Sequence, residues 1–112
     1  MLNKLKYVFE KRYYRIMEKY DISMEQLNKM VDKGAVLLDV RSPQEYEEGH
    51  LEGSILIPEY ELRVRIEGII SDKKQPIIVY CGTGTRSKKA QKILNKMGYE
   101  EVYNLYQGLE NY

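Results

Sequence analysis

At 112 residues the chain has room for one domain with a real core, and a net charge of +1 leaves no broad basic face for nucleic acid. Its single cysteine excludes an intrachain disulfide and a cysteine-built metal site, and a free thiol suits a reducing, cytoplasmic setting. Eleven tyrosines without a tryptophan are by default half-buried packing material.

Residues 1–19 are predicted to form a basic amphipathic helix. Leu2, Leu5, Phe9, Tyr13, Ile16 and Tyr20 lie roughly along one stripe, which is expected to pack on the domain formed by residues 20–112. Lys4, Lys6, Glu10, Lys11 and Arg12 interrupt every apolar run, so neither a signal-peptide core nor a membrane span is expected. Tyr20–Ile22 is a short strand candidate. Ser23 and Gln26 have capping-box form ahead of a helix that buries Leu27, Met30 and Val31 and ends at Gly34. Ala35–Val40 is a compact apolar strand, and Ser42, Pro43 and Glu45 then supply an N-cap, an N1 proline and an N3 acid for a short helix that stops at Gly49. Ser54–Ile57 is a further strand, closed by Pro58. Glu59–Ile70 is predicted to be helical, with Leu62, Ile66, Ile69 and Ile70 as its apolar side and Gly68 as a weak point. A polar loop leads to the strand Ile77–Tyr80, a helix is predicted over Lys88–Met97, and Val102–Leu105 is the last strand. Strands that are apolar on both faces and alternate with helices predict an α/β fold, a mainly parallel sheet covered on both sides by helices.

The stretch that carries chemistry is Cys81-Gly82-Thr83-Gly84-Thr85-Arg86-Ser87, between a buried strand and a helix. Its glycines let consecutive backbone N–H groups turn inward, and the following helix adds its unpaired N–H groups and the positive end of its dipole. Such a nest stabilises the thiolate of a cysteine held in it and raises its nucleophilicity. Arg86 adds a fixed positive charge, and Lys88 and Lys89 extend it at the mouth. In parallel sheets sites form beyond the carboxyl ends of strands, where both Cys81 and Asp39-Val40-Arg41 stand.

Asp39-Val40-Arg41, Glu45-Tyr46, Gly49-His50-Leu51-Glu52-Gly53-Ser54 and Ile57-Pro58 together resemble the first signature of rhodanese-like domains. Cys81–Ser87 resembles the active-site loop of that family, and Gly98-Tyr99, Val102, Leu105 and Gly108 its C-terminal signature. The resemblance implies a three-layer sandwich around a five-stranded sheet. It also implies a sulfurtransferase of the thiosulfate:acceptor kind, working without a cofactor. Carried onto this chain, Cys81 attacks the outer sulfur of thiosulfate or a related sulfane-sulfur donor and becomes a persulfide. A thiol, cyanide or a partner protein then takes the sulfur. The N–H groups of Gly82, Thr83, Gly84, Thr85, Arg86 and Ser87 would hold the donor, with Arg86 attracting its sulfonate end. Asp39, Arg41, Glu45 and His50 are expected to support the site, Arg41 by pairing with Glu45 and His50 by bracing its turn. The family commonly has Gly-Gly followed by a tryptophan where this chain has Gln107-Gly108 and Tyr112, a departure that bears on the pocket wall.

Loop length separates this reading from phosphatase chemistry. Cysteine phosphatases that wrap a tetrahedral oxyanion use Cys-x5-Arg, whereas Cys81 and Arg86 are one residue closer, a ring suited to a single sulfur atom. A Cys-His-Asp protease triad would need His50 as a base, but the only histidine sits in a turn motif. The rival readings are a persulfide carrier that delivers sulfur to a partner protein and a non-enzymatic sensing or binding module.

Overall fold

Every residue of Ile77–Tyr80 is buried, which makes this strand the axis of the sheet. The computed structural model describes residues 19–112. The helix expected over 1–19 therefore lies outside the described residues, apart from Lys19, which stands in a turn. In chain order the elements are β1 (Asp21–Ile22), α1 (Met24–Asp32), β2 (Val36–Asp39), α2 (Pro43–Glu48) and β3 (Ile55–Leu56). A 3-10 turn (Glu59–Glu61), α3 (Leu62–Ile69), β4 (Ile77–Tyr80), α4 (Thr85–Lys96), β5 (Val102–Leu105) and a closing 3-10 turn (Leu109–Asn111) follow. The five strands form one sheet in the order β1-β5-β4-β2-β3, and every pairing is parallel.

Alternation along the strands divides the core into two layers. Leu38, Ile77, Val79 and Cys81 pack with Leu62 and Ile66 of α3 and Ala90 and Leu94 of α4. Leu37, Ile78, Tyr80 and Leu105 face the other way, against Ile22 and Leu27. Each large apolar side chain so buried contributes about 1.5–3 kcal/mol of transfer free energy, which is why the central strands tolerate no polar face.

Both predicted capping boxes form. In α1 the Ser23 hydroxyl accepts from the Gln26 N–H at 3.1 Å while the Ser23 N–H donates to the Gln26 carboxamide at 2.8 Å. In α2 the Ser42 hydroxyl accepts from the Glu45 N–H, and the Ser42 N–H donates to the Glu45 carboxylate. Two boundaries differ from expectation by more than one residue. The segment expected as one helix from Glu59 begins with a 3-10 turn and becomes α-helical at Leu62, and α4 begins at Thr85 instead of Lys88. Thr85, Arg86 and Ser87 are thus the first turn of a helix and only Gly82–Gly84 are loop. Among the described residues no helix is long and apolar enough to cross a membrane.

Candidate active site

Helix α4 starts at Gly84, an N-cap residue with no side chain, held at φ 92° in the left-handed region that favours glycine. An ordinary N-cap side chain would accept the N–H of the third helical residue. Here the sulfur of Cys81 takes that place: its Sγ accepts from the Ser87 N–H at 3.3 Å and from the Gly84 N–H at 3.1 Å. The cysteine is fully buried and stands one residue past β4, so sheet and helix together fix the sulfur at the positive end of the helix dipole.

Behind the sulfur runs a buried polar chain. The Ser87 hydroxyl lies 3.3 Å from Sγ and donates to the Asn104 carbonyl oxygen. The Asn104 amide donates to Asp21 at 3.0 Å, and Lys88 reaches the same carboxylate oxygen at 3.0 Å. Because a carboxylate only accepts, Asp21 fixes which way the Asn104 amide points, and Asn104 in turn fixes the Ser87 hydroxyl. Asn104 and Asp21 were not among the residues the sequence singled out. The available signal was a polar residue in the middle of the apolar run Val102–Leu105.

Asp39 and Tyr80 are register partners in β2 and β4, so the residues after them share one end of the sheet. The expected pairing of Arg41 with Glu45 is corrected: Arg41 binds Asp39, through Nε at 3.0 Å and Nη2 at 2.7 Å, and donates to the Gly49 carbonyl at 2.6 Å. The Asp39 hydrogen bond raises the Arg41 pKa further, against the opposing effect of burial. Glu45 turns instead to Arg86 and holds its guanidinium with both oxygens, at 2.6 and 2.9 Å. One carboxylate therefore caps α2 and clamps the first turn of α4. Hydrogen bonds from Arg86 and then from Ser42 lower the Glu45 pKa to about 2, and the same Arg86 contact raises the arginine.

His50 does not reach Cys81. Its Nδ1 donates to the Tyr46 carbonyl at 2.7 Å and its ring stacks on Tyr46 with centroids 3.6 Å apart, bracing the turn before β3. Tyr80 completes that brace: its hydroxyl accepts from the Leu51 N–H at 3.0 Å and donates to the Ser54 hydroxyl at 3.1 Å. Burial of the phenol raises its pKa to about 12.

A prediction follows from that brace. Tyr80→Phe leaves the Leu51 N–H without its acceptor, and the variant should lose about 1–3 kcal/mol at neutral pH. Tyr80 ionises near pH 10 when unfolded but holds its proton to about 12 when folded. The stability that it contributes is therefore complete below pH 10 and lost as pH rises through 12. Urea midpoints of the two proteins should converge across that window; a constant gap would refute the assignment.

The C-terminal segment closes the loop from outside. The Leu109 N–H donates to the Cys81 carbonyl and the Glu110 N–H to the Gly82 carbonyl, both at 2.8 Å. Gln107, where the family commonly has the first glycine of a pair, is held at φ 63°, the left-handed conformation a glycine adopts without strain.

The rhodanese-like domain family model matches residues 23–112. The chain belongs to the rhodanese-like family. It is 42% identical over 67 residues to the thiosulfate sulfurtransferase PspE of Escherichia coli strain K12, a match covering 60% of this chain and 64% of PspE. The match thus spans a little under two thirds of that relative. A solved rhodanese from E. coli, described as holding anions, superposes with a TM-score of 0.65 at 37% identity, over 70% of this chain and 92% of the other. The human single-domain sulfurtransferase TSTD1 shares the rhodanese fold, with a TM-score of 0.72 at 23% identity over 83% of this chain and 94% of its own.

Proposed function

We propose that this rhodanese-like domain is a sulfurtransferase in which Cys81 carries sulfur as a persulfide. The observation that carries the reading is the sulfur of Cys81 standing in for the missing cap of α4, with two N–H groups directed at it. The likeness to PspE and to the E. coli rhodanese described with anions supports it.

In the first half-reaction the Cys81 thiolate attacks the outer sulfur of thiosulfate or a related donor. A Cys81 S–S bond forms, the donor's S–S bond breaks, and sulfite, or the thiolate of another donor, leaves with the electron pair. In the second, an acceptor thiolate or cyanide attacks the outer persulfide sulfur and Cys81 departs as thiolate. Two half-reactions through one covalent intermediate predict ping-pong kinetics. The Gly84 and Ser87 N–H groups stabilise negative charge on Sγ each time it is released, so no separate base is required. Gly82, Thr83 and Thr85 form the rest of the rim, and Asp39, Arg41, Glu45 and His50 hold the surrounding turns. A reducing compartment suits the free thiol.

Intact mass tests the reading. Incubation with excess thiosulfate, without reductant, should add one sulfur atom, and cyanide should remove it. Failure to take up sulfur from both thiosulfate and an alkyl persulfide would overturn it and favour a binding module.

A further inference from the structure

The three cations at the start of α4 each face a carboxylate. Arg86 binds Glu45, Lys88 binds Asp21 at 3.0 Å and Lys89 binds Glu59 at 2.9 Å. To these the C-terminal turn adds Glu110. Its backbone N–H is tied to the Gly82 carbonyl, and its carboxylate lies against Gly82 so closely that a methyl group there would collide with a carboxylate oxygen. The same point is 3.6 Å from the Arg86 guanidinium. Among the described residues no cation lies within ion-pair distance of Glu110, so beside Gly82, the residue after Cys81, one guanidinium stands against two carboxylates.

We infer that Glu110 is a specificity-determining residue that selects against dianionic donors such as thiosulfate and in favour of sulfane sulfur carried on an uncharged or cationic thiol. This rests on the sulfur-transfer reading for its donors but not for its charge. A carboxylate on the rim repels a dianion twice as strongly as a monoanion and a neutral molecule not at all. The backbone bonds of the turn keep it there, and Gly82 leaves the space for it. Glu110→Gln preserves those backbone bonds and removes only the charge.

The test compares wild type with Glu110→Gln using two pairs of probes at low ionic strength, where charge effects are largest. Sulfur uptake by Cys81 from thiosulfate should rise about tenfold in the variant, while uptake from cysteamine persulfide should stay level or fall. Alkylation of Cys81 by anionic iodoacetate should rise about threefold relative to neutral iodoacetamide. An alkylation ratio that changes by less than about 1.5-fold overturns the inference, whatever the donors do. A shifted alkylation ratio in a protein that takes sulfur from neither donor upholds the charge filter and removes the sulfur-transfer reading instead.

Discussion

Cys81→Ser will fold as the wild type does and will accept no sulfur. A serine Oγ can receive the same N–H groups from Gly84 and Ser87, so the start of α4 keeps its cap and stability should change by no more than about 1 kcal/mol. The hydroxyl cannot form a persulfide, and it remains protonated at neutral pH, so uptake from any donor should fall by about four orders of magnitude or more. Intact mass after donor treatment and urea midpoints measure the two halves. Residual uptake would place the sulfur elsewhere, and loss of folding would show the cysteine to be chiefly a packing residue.

The second large effect is expected at Gly108, which lies 27 residues (108 − 81) beyond Cys81 in sequence but against the loop in space. Gly108 sits at φ 80° and ψ 175°, a conformation essentially confined to glycine. A Cβ there would be driven into the Gly82 carbonyl and would lie 2.6 Å from the Thr83 nitrogen. Backbone cannot give way as a flexible side chain can. Gly108→Ala should therefore cost about 3–5 kcal/mol, combining backbone strain with overpacking. If the turn relaxes to avoid the collision, the bonds from Leu109 and Glu110 to the Cys81 and Gly82 carbonyls go with it and sulfur uptake falls too. Gly68, in α3 with open space around it, is the control: alanine there should stabilise by about 0.5–1 kcal/mol. Urea midpoints and uptake rates decide. A Gly108→Ala protein that matches the wild type in both would refute the close-contact argument.

What could be read from the sequence followed from where each signal is local. Capping boxes at Ser23 and Ser42 and the strands around Leu38, Val79 and Val102 use residues within one turn or one strand, and they formed as expected. The start of α4 lies three residues before the expected Lys88 because its cap is not a Ser, Thr, Asp or Asn but a glycine completed by the sulfur of Cys81. Arg41 and Glu45 have helix spacing, yet Arg41 precedes the N-cap Ser42 and is not on the helix. That leaves Glu45 for Arg86, forty-one positions away. The polar chain through Asn104 to Asp21 spans eighty-three positions, and Glu110 reaches the loop from the far end of the fold. Neither pairing has a local pattern to betray it.

The place of β5 has a consequence for how the molecule is made. It lies between β1 and β4, yet it emerges from the ribosome after every other strand. Until then β1 has no neighbour and β4 lacks one, since β1 pairs only with β5 among the described strands. The contacts that close the sheet thus join segments some eighty residues apart, an arrangement that slows folding and leaves strand edges exposed in the nascent chain. The turn that ties down the Cys81 loop is supplied by the residues after β5, so the thiol is laid down before the segment that fixes its loop. Between the emergence of Cys81 and that of Leu109 and Glu110, the nascent chain carries its nucleophile without the backbone bonds that close the loop.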